Sequence, residues 1–202
     1  MTAPICAGPG PRTATAHLAT HRLILRPLAP AVAADLLSGV GPPGSRWARD
    51  YPGEADVVAA TGYLWALEHV GDYAPFGPYQ LVRRADGLVI GGAGFHGSPV
   101  RGEVEIAYAV VPSARGRGYA TEAASALVAL AAASGVRSVS AVVAATNVVS
   151  QRVALAAGLD LAGPDRAFLR YTRRLRRAEP RRAGLPGSGH CGTIVGPGRV
   201  VG

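Results

Sequence analysis

Lysine is absent from this 202-residue chain, whose 21 basic side chains are all arginine. Without lysine the chain cannot form a Walker A phosphate loop, a pyridoxal Schiff base or a lysine general base. The two cysteines, Cys6 and Cys191, lie in Gly/Pro-rich ends and are too few for a zinc site or a disulfide framework. Any phosphate group that this protein binds must therefore be met by arginine and backbone amides.

Targeting and membrane-spanning segments are also missing from the sequence pattern. The first residues, MTAPICAGPGPRT, contain neither a basic lead nor an apolar run, so they do not resemble a secretory signal. The longest apolar stretch, residues 123–136, is broken by serine and glycine and is shorter than the ~20 residues that a membrane helix needs. We expect a cytoplasmic protein.

The net charge of +8 is concentrated at one end of the chain. Residues 166–202 contain nine arginines and one acid, whereas residues 1–165 contain twelve charges of each sign. Charge runs of this kind are usually solvated, which favours an exposed tail. The alternative is contact with nucleic acid or the ribosome through the arginines between 166 and 182, which would weaken steeply with salt.

Hydrophobic periodicity predicts one domain over residues 17–177, between a flexible segment at 1–16 and a Gly/Pro/Arg-rich disordered tail at 178–202. The pattern indicates an α+β (mixed α/β) fold with a mostly antiparallel sheet of about six or seven strands and about four helices. Strands are predicted at 22–26, 79–84, 88–95, 103–111, 137–144, 159–161 and 167–175. Helices are predicted at 31–38, 57–67, 118–134 and 147–157.

The segment from Val110 to Glu122 is the most informative part of the sequence. A strand ends at a proline, a short loop follows with Arg115, Gly116, Arg117 and Gly118, and a helix begins at once. Glycines let the backbone approach a ligand, and the first helix amides lack partners and carry partial positive charge. This arrangement can bind a phosphate, although a glycine-rich turn can also serve only to connect a strand to a helix.

A second glycine motif, residues 92–97, formally fits G-x-G-x-x-G. A dinucleotide-binding unit requires a helix to begin inside the motif and an acid about twenty residues later. Here a proline and a new alternating strand follow instead. We therefore expect no dinucleotide site there.

Four motifs in order resemble the GNAT (Gcn5-related) N-acetyltransferases, and within them the branch similar to ribosomal-protein N-terminal acetyltransferases. They are Thr20-His-Arg-Leu-Ile-Leu-Arg-Pro27, Val104-Glu-Ile-Ala-Tyr108, Arg115-x-x-Gly118-x-Ala120 with Glu122 behind it, and Asn147-x-x-Ser150 with Gly158 behind it. The resemblance implies a splayed GNAT-like sheet, acetyl-CoA as co-substrate and no metal. It implies that the coenzyme contacts Val110, Val111, Arg115, Gly116, Arg117, Gly118, Tyr119, Ala120 and Asn147.

Two residues are candidates for the proton transfers of acetyl transfer. Glu105 is the predicted base, directly or through a water, because its strand should border the reacting centre; the alternative is a solvated carboxylate beside Glu103. Ser150, one helical turn past Asn147, is the predicted proton donor. Many relatives use a tyrosine on this helix, but residues 148–158 contain none. The alternative for Ser150 is ordinary N-terminal helix chemistry with Asn147 or Thr146 as the cap. His96 is interpreted as structural.

The acceptor is the least determined part of the prediction. Aromatic residues of two long loops either wall the acceptor pocket or close the core over the sheet: Trp47, Tyr51, Tyr73, Phe76 and Tyr79. A small amine, an amino-terminal residue and an antibiotic amine all remain possible acceptors, and the chain can be a monomer or a homodimer. The predicted function is N-acetyl transfer, and the alternative is a non-catalytic acyl-CoA-binding regulatory or scaffold domain.

Overall fold

The fold was analysed in a computed structural model, which describes residues 17–175. The predicted flexible segment 1–16 and the tail 178–202 lie outside the described residues. Strands are β1 Leu18–Ala19, β2 Leu23–Pro27, β3 Pro78–Arg83, β4 Val89–Phe95, β5 Glu103–Val110, β6 Ser138–Ala144, β7 Asp160–Asp165 and β8 Phe168–Arg174. Helices are α1 Pro30–Ser38, α2 Glu54–His69, α3 Tyr119–Ala133 and α4 Val148–Ala156.

The strands form one mixed sheet in the order β1-β2-β3-β4-β5-β6-β8-β7. All neighbouring pairs are antiparallel except β5 and β6, which run parallel. The predicted α+β class is confirmed. The sheet has eight strands rather than six or seven, because a two-residue strand, β1, pairs with β2 at one edge.

The sheet is splayed between β5 and β6. These strands pair only from Glu103 to Glu105 on β5 and from Ser138 to Ser140 on β6. Beyond that point β5 continues to Val110 and β6 to Ala144 without further pairing to each other. One edge of β5 is therefore left open over the half that leads to the predicted phosphate loop.

Alternation along β5 explains which face is covered. Val104, Ile106 and Val110 are buried, whereas Glu103 and Ala107 are exposed. The buried face packs against α3, whose apolar residues Ala123, Leu127 and Ala131 have no solvent exposure. Successive strand residues point to opposite faces, so Glu105, Ala107 and Ala109 share the other face, on the side of the site described below.

Candidate active site

The predicted phosphate loop has the backbone that an anion site needs. Gly116 and Gly118 have φ values of 75° and 76°, in the left-handed region that favours glycine. α3 begins at Tyr119, and no side chain caps its first turn. Residues 115–118 are exposed. Because the first helix amides have no intrahelical partner and lie at the positive end of the helix dipole, the loop can receive a phosphate.

The two loop arginines behave differently. The Arg115 Nε donates a hydrogen bond to the Val110 carbonyl oxygen at 2.9 Å, which folds this side chain back over the end of β5. Arg117 is exposed, and its carbonyl oxygen accepts a hydrogen bond from Arg22 Nη1 at 2.8 Å. The backbone of the loop is therefore held from both ends, by Arg115 and by Arg22.

A carboxylate on α3 ties this loop to the sheet. Glu122 accepts hydrogen bonds from Thr20 Oγ1 and the Arg22 amide, each at 2.6 Å, and from Arg22 Nε at 2.8 Å. Burial opposes ionisation of Glu122, but the hydrogen bonds from Thr20 and Arg22 outweigh it and hold its pKa below the ordinary value. Two of the sequence motifs, at 20–27 and 115–122, thus meet in one cluster.

The open edge of β5 presents backbone groups toward the gap. The His96 amide donates to the Glu105 carbonyl oxygen and the Val111 amide donates to the Ile90 carbonyl oxygen, both at 3.0 Å. The backbone groups of the odd-numbered residues of β5 therefore face β4. Because backbone groups alternate along a strand, those of Ile106, Tyr108 and Val110 face the gap. The Val110 amide can therefore donate to a ligand lying between β5 and β6.

The start of α4 lies across the same gap. The Asn147 side chain caps α4 by accepting a hydrogen bond from the Ser150 amide at 3.0 Å. The Tyr108 hydroxyl reaches across from β5 and donates to the Ser150 carbonyl oxygen at 3.0 Å. Burial raises the pKa of Tyr108 to about 12, so this phenol stays protonated. The structure thus brings Ser150 next to β5 and adds a tyrosine that the sequence reading treated only as a strand residue.

Glu105 is engaged by two partners. Its Oε1 lies 3.1 Å from His96 Nδ1, and its Oε2 lies 3.6 Å from Arg170 Nη1. The hydrogen bond with His96 is the main reason that the pKa of Glu105 is lowered and that of His96 is raised. Glu105 is half-buried and ion-paired, which departs from the solvated carboxylate beside Glu103 that was the alternative to a catalytic base. His96 is part of this pair rather than an isolated structural histidine.

A cavity of about 960 Å³ lies over the same sheet face, between α2 and strands β3, β4 and β5. Ala107, Ala109, Gly92 and Gly94 contribute to its floor, and His96, which pairs with Glu105, lines it. Five aromatic residues were expected either to wall an acceptor pocket or to close the core, and of these Tyr51, Tyr73 and Tyr79 line this cavity. Trp47 and Phe76 pack edge-to-face on Tyr51 and Phe95 against the core, as the second alternative expects.

One acidic residue of this cavity was missed in the sequence reading. Asp56 lies in the first turn of α2, is only 5% exposed and lines the cavity. Burial raises its pKa to about 6. A capping-box spacing is the signal that could have placed it, since its Oδ2 accepts the Gly53 amide at 2.9 Å.

Comparison with known proteins decides the family. A family model described as an acetyltransferase (GNAT) domain matches residues 22–160, well over half of the chain. The chain belongs to the GNAT acetyltransferase family. No curated protein sequence matches it significantly.

Solved structures of GNAT acetyltransferases share the fold. An acetyltransferase from Agrobacterium tumefaciens is 27% identical, with a TM-score of 0.55 over 83% of this chain and 99% of that chain. RimL, a ribosomal L7/L12 α-N-protein acetyltransferase solved with coenzyme A, is 15% identical, with a TM-score of 0.56 over 79% and 98%. The microcin C7 self-immunity acetyltransferase MccE, solved with acetyl-CoA and AMP, is 15% identical, with a TM-score of 0.56 over 77% and 94%.

The rejected glycine motif at 92–97 contributes to the cavity in a different way. It forms the end of β4 and the turn after it, with no helix, so it is not a dinucleotide fingerprint. Its glycines instead allow close approach, since a Cβ on Gly94 would lie 2.7 Å from the Pro78 Cα.

Within residues 17–175, no group of three or more histidine, cysteine, aspartate or glutamate side chains is placed to hold a metal ion. None of the described helices has the length and hydropathy needed to cross a membrane.

Proposed function

We propose that this GNAT acetyltransferase moves the acetyl group of acetyl-CoA to a primary amine by direct attack in a ternary complex. The observation that carries the proposal is a single face and edge of β5. Its open edge ends at an exposed loop with two glycines of positive φ and an uncapped helix terminus, and its accessible face forms the floor of a cavity beside the His96–Glu105 pair. A thioester donor and an amine acceptor can thus reach the same strand from two sides.

In this proposal the coenzyme lies along the splayed edge of β5. Its pyrophosphate binds the amides of residues 115–120, and Arg115, Arg117 and Asn147 lie beside its path. Val110 and Val111 lie where the strand ends, and the Val110 amide would donate to the thioester carbonyl oxygen. The exposed loop, the free helix terminus and the unpaired strand edge support this placement.

The transfer exchanges one bond for another. The neutral amine nitrogen attacks the thioester carbonyl carbon, a C–N bond forms, and the C–S bond breaks to release the coenzyme thiolate. The amine loses one proton and the thiolate gains one, so a base and an acid are needed near the two ends of the reaction.

Glu105 is the proposed base, acting through His96 and water. The imidazole lines the cavity, and its hydrogen bond to Glu105 orients it and raises its pKa above the ordinary value. A histidine in this range can accept a proton near neutral pH, and the carboxylate stabilises the imidazolium that results. This arrangement supports the choice of Glu105 although its carboxylate does not itself line the cavity.

Ser150 is the proposed proton donor to the thiolate. Its helix begins across the gap from β5, where the thiol end of the coenzyme would lie. The Tyr108 phenol, bonded to the Ser150 backbone, is the matched comparison because it offers a second hydroxyl at the same place.

The experiment is thiol release from acetyl-CoA across a broad panel of primary amines, with coenzyme binding measured in parallel. An enzyme should turn over at least one amine, and Ser150→Ala should lose turnover while keeping coenzyme affinity. Tyr108→Phe then tells whether the phenol shares the role. Coenzyme binding without turnover of any amine would instead identify a non-catalytic acyl-CoA-binding domain.

RimL, one of the structural relatives, acetylates a ribosomal-protein α-amino group according to its description. An amino-terminal residue therefore belongs in the acceptor panel beside small amines. Function in the cytoplasm, and the monomeric or dimeric state of the chain, remain predictions.

A further inference from the structure

Asp56 is a buried carboxylate without a cationic partner in the described part of the chain. Asp56 is only 5% exposed, and its carboxylate takes part in none of the ion pairs found among residues 17–175. The hydrogen bond from the Gly53 amide to Oδ2 is the contact that stabilises its charge. Buried charges in proteins are normally paired. The first turn of α2 gives this carboxylate partial positive charge from its backbone amides, but no full positive charge pairs with it among residues 17–175.

The neighbouring polar groups do not supply that counter-charge. Arg26 donates from Nη2 to Gln80 Oε1 at 2.8 Å, and Gln80 donates from Nε2 to the Tyr51 hydroxyl at 3.1 Å. This chain of hydrogen bonds ends at Tyr51, which lies beside Asp56: burial is the main reason that the pKa of Tyr51 is raised, and the charge of Asp56 adds to it. Arg26 is hydrogen-bonded to Gln80, and both Gln80 and Tyr51 stand between it and Asp56 in this chain of hydrogen bonds.

The Asp56 carboxylate lies close to the position from which an acceptor nitrogen would attack. A Cβ built on Gly92 would lie 2.5 Å from Asp56 Oδ1, so the oxygen occupies space directly above that glycine. Gly92 pairs with Ala109 across β4 and β5, and Val110, the proposed donor to the thioester carbonyl, is next in sequence. Asp56 thus lies over the end of β5 where the coenzyme's acyl group is proposed to bind.

The rim of the cavity is apolar, in contrast to the buried carboxylate of Asp56. Four large apolar side chains that line it are mostly exposed: Val58 at 66%, Trp65 at 58%, Val70 at 74% and Val100 at 72%. Clustered exposed apolar residues around a cavity indicate a surface that a ligand covers. A small polar amine would leave them in water, whereas an apolar body would cover them.

We propose that Asp56 binds the ammonium group of an acceptor whose apolar body fills the cavity and covers its rim. The inference rests on the proposed function for the reaction and adds the substrate class: an amphipathic primary amine. An ammonium has three N–H donors. One N–H can bind Asp56 while a second proton passes through water to the His96–Glu105 pair and on to solvent, which leaves the neutral amine that attacks. The proton that the nitrogen loses after the C–N bond forms passes to the same pair, so Asp56 is a binding residue and the proposed base is unchanged.

The test measures binding, not turnover. The probes are 2-phenylethylamine, a free amphipathic amine, and L-phenylalaninamide, which presents the same chemistry as a peptide amino terminus; 2-phenylethanol is the neutral isostere. Asp56→Asn keeps the acceptor for the Gly53 amide but removes the charge. Glu54→Gln is the matched control, because it removes a charge from an exposed residue of the same helix and the same cavity.

The expected result is that at least one amine binds the wild type and 2-phenylethanol binds far more weakly. Asp56→Asn should weaken amine binding by about 30-fold or more, as expected when one partner of a buried charge pair is lost. Glu54→Gln should not. A carbon-13 NMR titration should also show the pKa of the Asp56 carboxyl falling when the amine is bound, because an opposite charge favours its ionised form.

Several outcomes would overturn the proposal: no binding of either amine, equal binding of the alcohol, or equal binding by Asp56→Asn. A preference for 2-phenylethylamine or for L-phenylalaninamide tells whether the acceptor is a free amine or a peptide amino terminus. Amine binding that depends on Asp56 without any acetyl transfer would contradict the proposed function and leave this binding site intact.

Discussion

The proposed coenzyme loop and the proposed acceptor cavity are built from different parts of the chain. The loop is one continuous segment, residues 110–120, in which 115–118 are exposed and two glycines have positive φ. The cavity is assembled from α2, β3, β4 and β5, and its polar groups are individual side chains, among them Asp56 and His96. The difference teaches that loop function should depend on backbone conformation and tolerate changes of side chain, whereas cavity function should depend on single side chains.

The largest expected effect tests the cavity half of this comparison. Glu105→Gln should lower the turnover rate by about 100-fold, the size typical of losing general-base assistance. The hydrogen bond that His96 donates to Glu105 raises the pKa of His96, so the variant should have a lower His96 pKa. Because the His96–Glu105 pair can accept a proton only while the imidazole is neutral, the acid limb of the pH–rate profile should move to lower pH. Steady-state kinetics from pH 5 to 9 measure both.

Glu103→Gln is the control for this prediction, since Glu103 is an exposed carboxylate on the same strand. It should leave both the rate and the pH profile unchanged. A Glu105→Gln enzyme with wild-type kinetics would show that the ion pair is only structural.

The second prediction tests the loop, whose function should depend on backbone conformation. Gly116→Val should weaken coenzyme binding by about 10-fold or more, because a β-branched residue resists a φ of 75° and the loop must shift. Amine binding should not change. Isothermal titration with coenzyme A measures the first effect, and titration with 2-phenylethylamine measures the second.

Gly135 supplies a closely matched control. Its φ is also 75°, and a Cβ on either glycine would meet nothing within 4 Å. Gly135→Val should therefore lose a similar amount of stability without losing coenzyme affinity. Equal loss of affinity in both variants would mean that general destabilisation explains the effect.

The loop could be predicted from sequence because its determinants are local. A proline, two glycines and two arginines follow one another between a strand and a helix, and each acts within a few residues. The α+β class and the GNAT family could be predicted for the same reason, because the motifs on which they rest are short. Both predictions were confirmed. The extra strand β1 was missed because two residues, Leu18 and Ala19, are too few to show alternation.

The cavity could not be predicted in the same way because its determinants are tertiary. Asp56 is followed by Val57 and Val58 in the predicted helix, and although a capping-box spacing places it in the first turn, nothing local reveals that its carboxylate becomes buried over Gly92. The pairing of His96 with Glu105 depends on the β4–β5 register. The two alternatives for Trp47 and Phe76 could not be separated from sequence, because loop aromatics can pack on other rings or face a ligand.

The third prediction concerns the stability cost of the cavity's buried charge. The pKa of Asp56 is raised to about 6, above its unfolded value, so the folded state loses stability as pH rises from about 4 through 6. Asp56→Asn should therefore stabilise the protein at pH 7.5 by up to about 3 kcal/mol, the free energy that corresponds to a pKa raised from 3.8 to about 6. Urea unfolding at several pH values should show this gain shrinking below pH 6 and disappearing near pH 4.

Glu54→Gln is again the control, because this exposed charge should not produce a pH-dependent gain. Lower stability of Asp56→Asn at pH 7.5 would mean that a cation already compensates Asp56 and would also weaken the case for an ammonium site. A gain in stability together with a loss of amine binding would instead identify a residue kept for binding at the expense of stability.

The smallest expected effect is on the loop again. Arg117→Ala removes an exposed guanidinium but keeps the carbonyl that accepts from Arg22 and the positive φ of Gly116 and Gly118. Coenzyme affinity should fall only about threefold in low salt, as expected for an exposed charge pair, and the difference should fade as salt screens it. Titrations with coenzyme A at 20 mM and 500 mM salt measure this, with Arg101→Ala at the other end of β5 as the control. A loss as large as that of Gly116→Val would overturn the comparison, because the loop would then depend on a side-chain charge as much as the cavity does.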